Sequence, residues 1–279
     1  MIRLQQQRGI TLIELMVAGV LGVIITYFIF NIMITSTRTA TQADGLAQAQ
    51  ENGRFVTSWL HGEIRRAGYT PDFTDPRIQP FANTCAPGAP VPPANSGHCS
   101  FNSNNNDSDR IAIRRTYTAA TTLRDRQDCT GVDLSTLGTP PSEGDVLVDM
   151  YWVEPDTSAN PDNFSDILRC VTYLDNTGIP VAPAQVIANG VQGFQVLYGE
   201  STTPIVGNQT NVTRYVNADE VTNWNNVYAA RISVLTRSFL PTGLDQAIRS
   251  YVLLDANPYT FDDRIARHIQ GTTIYLPNQ

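Results

Sequence analysis

The sequence contains no lysine: all 19 basic residues are arginine, and histidine occurs only three times. It also lacks C-x-x-C, H-E-x-x-H, G-x-S-x-G and P-loop motifs. These absences exclude the zinc, hydrolase and nucleotide sites that such motifs build. We therefore expect no catalytic residue, no metal and no cofactor. A membrane-anchored enzyme is retained only as a remote alternative.

The charge balance is acidic, with 26 acidic residues and a net charge of −7. A dedicated nucleic-acid binder would normally carry a basic face, so we expect no nucleic-acid partner. The mean hydropathy of −0.18 is typical of a folded chain. A length of 279 residues suffices for one good-sized core or two small ones.

Four cysteines, at positions 85, 99, 129 and 170, allow three pairings. In an oxidising compartment two disulfides are expected. We favour Cys85–Cys99 together with Cys129–Cys170, because the first pair flanks a segment rich in Pro, Asn and Gly that needs a cross-link. The alternative is four free, buried thiols.

The N-terminus joins a short basic leader to a long apolar run. Arg3 and Arg8 precede residues 10–34, which span about 37 Å as a helix, enough to cross a bilayer. The positive-inside rule keeps the N-terminus cytoplasmic and sends the rest outward. The leader is polar and no A-x-A site follows the run, so this is not an ordinary secretory signal.

Glu14 interrupts the apolar run, where a carboxylate is costly in lipid. It could lie near the cytoplasmic interface and extend its carboxylate towards water. However, R-G-I-T-L-I-E-L, residues 8–15, resembles the type IV prepilin motif: Gly before a hydrophobic residue, Glu at the fifth mature position and an apolar helix behind it.

This resemblance implies that the protein is a substrate of prepilin peptidase. The peptidase would cut between Gly9 and Ile10 and methylate the new amine of Ile10. Glu14 would then pair with the Ile10 ammonium of an adjacent subunit and set the axial register of a filament.

The helical pattern continues without proline through residues 35–68. Apolar and small residues recur there at intervals of three or four, which predicts one face packed on a head. The predicted packing residues are Leu46, Gly53, Val56, Trp59, Leu60 and Ile64. Gly68 and Pro71 are stop signals.

The remaining chain predicts a β-rich head. Residues 70–109 are irregular and predict a loop outside the core; a calcium site at their acidic, Asn-rich end is a weaker alternative. Alternating patterns then predict an antiparallel sheet with one buried face. The predicted strands are residues 110–117, 145–153, 167–174, 185–198, 228–239 and 272–276. Residues 217–224 suit a short helix capped by Asn217 or Asp219, and Asp255, Asp262 and Asp263 a solvated turn.

With the long helix, this sheet predicts an α+β fold like that of a pilin. Three head segments, residues 186–199, 224–238 and 264–278, resemble PilW-type minor pilins; J-type minor pseudopilins of type II secretion share the plan. The chain would divide into a leader (1–9), a transmembrane or filament-core helix (10–34), an amphipathic continuation (35–68) and a periplasmic head (69–279).

The resemblance implies a minor pilin in the bacterial inner membrane that later reaches the pilus tip and primes assembly. Its partners would be other minor pilins, the major pilin, prepilin peptidase, the inner-membrane assembly platform and a tip adhesin. A J-type pseudopilin, or a tip subunit that itself binds a surface, is the alternative function.

Overall fold

The computed structural model describes residues 10–71, 77–86, 99–103, 107–119, 122–155, 166–202 and 211–279. One helix, α1 (Leu12–Ile64), dominates its outline. At about 1.5 Å per residue its 53 residues extend for about 80 Å. A turn of residues 65–68 follows the helix. In this turn Gly68 adopts a φ of +74° and donates its N–H to the carbonyl of Arg114. Glycine tolerates this left-handed backbone, so Gly68 turns the chain into the head.

The head contains two four-stranded antiparallel sheets and a hairpin. The first sheet has the order β1-β2-β3-β4, with β1 (Arg110–Thr116), β2 (Val146–Pro155), β3 (Asp166–Leu174) and β4 (Gln185–Asn189). The second has the order β10-β7-β5-β6, with β5 (Val191–Glu200), β6 (Arg214–Val216), β7 (Val227–Arg237) and β10 (Arg267–Tyr275). The hairpin pairs β8 (Ala247–Tyr251) with β9 (Tyr259–Asp263), and a single helical turn, α2 (Leu123–Arg126), follows β1. This arrangement confirms the α+β class, but the single predicted sheet is two.

The chain passes from one sheet to the other at Gly190. This residue has a φ of +70°, donates its N–H to Asp166 of the first sheet and accepts from Arg237 of the second. Residues 185–198 are predicted as one continuous strand, and apolar residues do lie on both sides of the break. The positive φ of Gly190 instead divides the segment into β4 and β5.

A shared core joins both sheets to α1. It includes Val56 and Leu60 from the helix, Ile111 and Tyr151 from the first sheet, and Phe194 from the second. The aromatic residues Trp152 and Tyr198 are buried as well.

The first sheet is covered on both faces, contrary to the expectation of one buried face. Ala82 and Cys99 pack with Ala112, Met150 and Tyr173 on the face opposite the shared core. The backbone of the covering segment bonds to β1, for example from the Ala82 N–H to the Ala112 carbonyl. The prediction that residues 70–109 lie outside the core is therefore wrong for this segment: β1 is an edge strand, and covering it satisfies its backbone groups.

Two segments of the head, one between β6 and β7 and one after β7, also differ in part from expectation. The predicted short helix is a 3-10 turn at Ala218–Glu220, capped by the Asn217 side chain. Asp262 and Asp263 lie on β9 and not in a solvated turn, and Asp263 pairs with the buried guanidinium of Arg267. Their acidity suggested solvent, but a carboxylate paired with arginine is compatible with a strand.

Candidate functional site

The apolar part of α1, residues 12–34, is exposed along its whole length in the described structure. Its large apolar side chains are exposed from Ile10 to Ile34. Among the described residues α1 is the one helix long and apolar enough to cross a membrane, by length and composition. Between Glu14 and Arg38 the helix carries no charged residue. A bare apolar surface of this extent needs lipid or other apolar helices around it.

A capping box begins the helix, and it includes Glu14. The Thr11 N–H and hydroxyl both donate to Glu14 Oε2 at 3.0 Å, and the Glu14 N–H donates to Thr11 Oγ1 at 3.3 Å. The T-L-I-E spacing at residues 11–14 is the sequence signature of such a box. This cap was not predicted from the sequence. Gly9 lies outside the described residues, whereas Ile10 lies just before the box.

The second half of α1 packs on β7 and β10 through a narrow stripe. Its buried residues are Gly45, Ala49, Gly53, Val56, Thr57, Leu60 and Ile64. Leu46, a predicted packing residue, is 41% exposed and lies outside this stripe. Gly45 is buried in the stripe instead, because side chains of the head approach the helix backbone there too closely for a Cβ. A Cβ on Gly45 would lie 2.2 Å from Thr242 Cγ2. Trp59 is partly buried at the margin of the core.

The loop between β7 and β8 holds the helix further towards its N-terminus. Gln42 donates from its side chain to the Gly243 carbonyl at 3.0 Å, and the Phe239 N–H donates to the Gln48 side chain at 3.0 Å. A Cβ on Gly243 would lie only 2.5 Å from the Arg38 carbonyl oxygen. Glycine at 243 therefore permits direct backbone contact between head and helix.

A buried ionic network fixes the other end of the helix. Arg66 pairs with Glu63 at 2.6 Å and donates to the Gln127 carbonyl at 2.9 Å. Arg115 donates to the same carbonyl at 2.6 Å and pairs with Asp149 at 2.6 Å. This network joins the helix end to β1, β2 and the segment after α2, and its position was not predicted from sequence.

The charges of this network shift one another's proton affinities. Burial acts to raise the pKa of Asp149, but the guanidinium groups of Arg115 and Arg66 outweigh it and hold the pKa below its ordinary value. For Glu63 burial dominates and raises the pKa, although Arg66 opposes it. Burial acts to lower the pKa of Arg66, but the negative charges of Asp149 and Glu63 raise that pKa above its ordinary value. Asp149 and Arg66 therefore remain charged around neutral pH.

Two disulfides reinforce the first sheet. Cys85 is joined to Cys99, and Cys129 to Cys170. This is the pairing favoured from sequence. The second bond joins the segment after α2 to β3. It lies next to the Asp149 network, because Cys170 pairs in register with Tyr151 and the Cys129 N–H donates to the Thr172 hydroxyl.

Among its described residues, the head offers a groove but no recognisable reaction centre. The groove, of about 680 Å³, lies between α1 and α2 and is lined by Phe55, Trp59, Leu123 and Arg124. Within the described ranges no group of three His, Cys, Asp or Glu side chains could hold a metal ion. His61 lies on α1 and His268 on β10, while His98 and residues 104–106 of the candidate calcium loop fall outside the described residues.

Comparison with known proteins bears on the head. Residues 150–278 match the family model of the type IV pilus-assembly protein W, PilW. Among solved structures, the type IV-like pilin TTHA1219 from Thermus thermophilus is 16% identical, with 82% of this chain and 95% of that chain covered and a TM-score of 0.44. No curated protein matches the chain.

Among the described strands, the matched region includes residues 150–155 of β2 and every later strand. It contains the three head segments in which the sequence already resembles this type, at residues 186–199, 224–238 and 264–278. A pilus-related, structural subunit is consistent with the bare apolar helix and the disulfide-linked head. Residues 150–278 of the head are therefore similar to the type IV pilus-assembly protein W family, in agreement with the resemblance of the three head segments to PilW-type minor pilins.

Proposed function

We propose that this chain is a minor pilin of a type IV pilus that joins the tip complex and helps to prime assembly. The observation that carries the proposal is the PilW match over residues 150–278, on a chain whose bare helix follows a prepilin-like start. Prepilin peptidase would remove residues 1–9 by cutting between Gly9 and Ile10 and would methylate Ile10. Residues 10–34 would anchor the chain in the inner membrane, with residues 35–68 supporting a periplasmic head at 69–279.

The mechanism we propose is packing of apolar helices. In the membrane, lipid covers the exposed side chains of residues 10–34; in the filament, helices of other minor pilins and the major pilin would replace the lipid. The head stays fixed to its own helix through the buried stripe and the ionic network. A pull of the inner-membrane assembly platform on the helix would thus move the whole subunit, and a tip adhesin could be carried on the head.

Glu14 has two roles in this proposal. Two of the three hydrogen bonds of the capping box, from the N–H and the hydroxyl of Thr11, end on Glu14 Oε2. The other oxygen, Oε1, is left to accept from the Ile10 ammonium of a neighbouring subunit. Glu14 would therefore start its own helix and set the register of the next subunit at the same time.

Two substitutions separate these roles. Glu14→Gln keeps an acceptor for the capping box and removes the charge, whereas Glu14→Val removes both. We expect both variants to be cleaved, as shown by mass spectrometry of the mature N-terminus. We expect both to be depleted from purified pili relative to wild type at equal membrane levels. Normal incorporation of Glu14→Gln would contradict the pairing of charges.

Deletion of the gene tests the assembly role. Loss of surface pili in the deletion strain, with recovery on complementation, supports priming. Normal pili with lost adhesion would instead indicate a surface-binding tip subunit and would contradict priming. Normal pili with a defect in protein secretion would indicate a J-type pseudopilin.

A further inference from the structure

The loop between β7 and β8, which contacts α1, lies close to the point where the apolar part of the helix ends. Arg38 is the first charged residue after Glu14. If Glu14 marks the cytoplasmic boundary, the next 20 residues span about 30 Å, the thickness of the hydrocarbon layer, and end at Ile34. Arg38 then lies about 6 Å further out, within the lipid headgroup layer.

The loop between β7 and β8 contacts the helix at this level. Gly243 packs directly on the Arg38 backbone, as its short distance to the Arg38 carbonyl oxygen indicates. The Thr242 N–H donates to the Arg264 carbonyl, so the end of the hairpin β8–β9 leaves from the same region. These contacts form the end of the head nearest to the apolar segment, which we call the basal surface (residues 239–248).

The basal surface exposes apolar side chains that the fold leaves uncovered. Leu240 is 73% exposed and Ile248 is 75% exposed. Pro241 is exposed between the loop's contacts with the helix. Single exposed apolar residues are ordinary on a protein surface. Here, however, they share the end of the head that faces the bilayer.

Charge does not account for the contact that these residues could make. The basal surface and its surroundings carry Arg38, Arg249 and Arg264 but also Asp44, Asp245, Asp262 and Asp263. With opposite charges nearly balanced, attraction to anionic lipid is weak, and apolar insertion is the remaining source of affinity. Because α1 already tethers the head to the membrane, a weak contact suffices.

We propose that, as long as α1 is in the membrane, the basal surface docks on the outer lipid interface with Leu240 inserted at headgroup depth. This inference rests on the proposed membrane anchoring by residues 10–34. It gives the head a defined orientation over the bilayer. It also implies that the contact is released when the helix leaves the membrane for the filament.

Depth-dependent fluorescence quenching tests the proposal. The full chain is reconstituted at one copy per nanodisc in phosphatidylethanolamine and phosphatidylglycerol, with spin-labelled lipids as quenchers. Leu240→Trp places the reporter on the basal surface. Leu123→Trp is a matched control, because Leu123 is also exposed but neighbours Arg124, which bonds to Gly62, about 36 Å along the helix from Arg38. The signal of the three native tryptophans is subtracted with the unsubstituted chain.

We expect headgroup-labelled lipid to quench Leu240→Trp strongly, to leave Leu123→Trp unchanged, and to act equally at low and high salt. Equal quenching of the two variants would overturn the proposal. Quenching of Leu240→Trp that appears only with several copies per disc would also overturn it, because the loop would then contact a second copy.

A third variant tests the membrane anchoring of α1 separately from the docking of the basal surface. Phe28→Trp lies in the apolar segment and reports on lipids labelled along their acyl chains. If Phe28→Trp is quenched and Leu240→Trp is not, anchoring stands and the docking proposal fails. If neither is quenched, the membrane anchoring itself fails, and the docking proposal fails with it.

Discussion

Asp149→Asn is the substitution that most directly tests how helix and head are joined. Asp149 and Arg115 are each 1% exposed, and their side chains meet at 2.6 Å. Thr172 donates its hydroxyl to Asp149 Oδ1, a bond that asparagine can keep. The substitution therefore removes the charge with almost no change of shape, and it leaves the Arg115 guanidinium buried without its carboxylate.

The expected loss follows from this burial. Two unit charges about 4 Å apart interact by about 4 kcal/mol at an effective dielectric constant near 20. Removing one partner of a buried pair typically costs about 3–5 kcal/mol, because the other charge remains desolvated. For a head of this size such a loss lowers the melting temperature by roughly 6–20 °C.

Urea denaturation of the full chain in detergent, followed by circular dichroism, measures the loss. Glu154→Gln is a matched control on the same strand, since Glu154 pairs with Arg169 at the same 2.6 Å but about a third of each side chain is exposed. We expect the control to lose less than about 1 kcal/mol. If Asp149→Asn costs no more than Glu154→Gln, the argument that the network locks the helix to the head is refuted.

Three further predictions concern separate parts of the molecule. Gly243→Ala should lower the unfolding free energy by about 1–3 kcal/mol through its clash with Arg38, whereas Gly138→Ala, which meets no atom within 4 Å, should be nearly neutral in the same denaturation assay. Loss of the Cys129–Cys170 bond, which closes a 41-residue separation, should cost about 4 kcal/mol; an unchanged urea midpoint in the double Ser variant would contradict this. Burial raises the pKa of Asp109 from 3.8 to about 7, so the folded chain retains a proton that the unfolded chain releases. Stability from this group must therefore fall as the pH rises from about 4 to 7, and the stability difference between wild type and Asp109→Asn should change over this range.

Local patterns in the sequence predict much of the fold. The apolar run, the absence of proline to residue 70 and the Gly68 stop define α1, and period-two alternation identifies β1, β2, β3 and β7 near their observed positions. Such signals are local, because they depend on backbone preference and on which side of an element is apolar. The same logic fails at Gly190, where apolar residues lie on both sides of the glycine although the chain changes sheets there. It also misses β9, whose acidic residues resemble a solvated turn until Arg267 is placed beside them.

The candidate site divides in the same way. The leader, the apolar segment, Glu14 and the T-L-I-E cap are adjacent in sequence, so the sequence alone determines that this chain carries a prepilin-like start and a helix suited to a membrane. Which face of that helix packs on the head is determined only by the tertiary structure. Leu46 is the more hydrophobic residue, yet Gly45 is buried, because the Thr242 side chain packs so closely on the helix there that a Cβ would not fit. Likewise, Arg115 and Asp149 are 34 residues apart, and only the pairing of β1 with β2 brings their charges together.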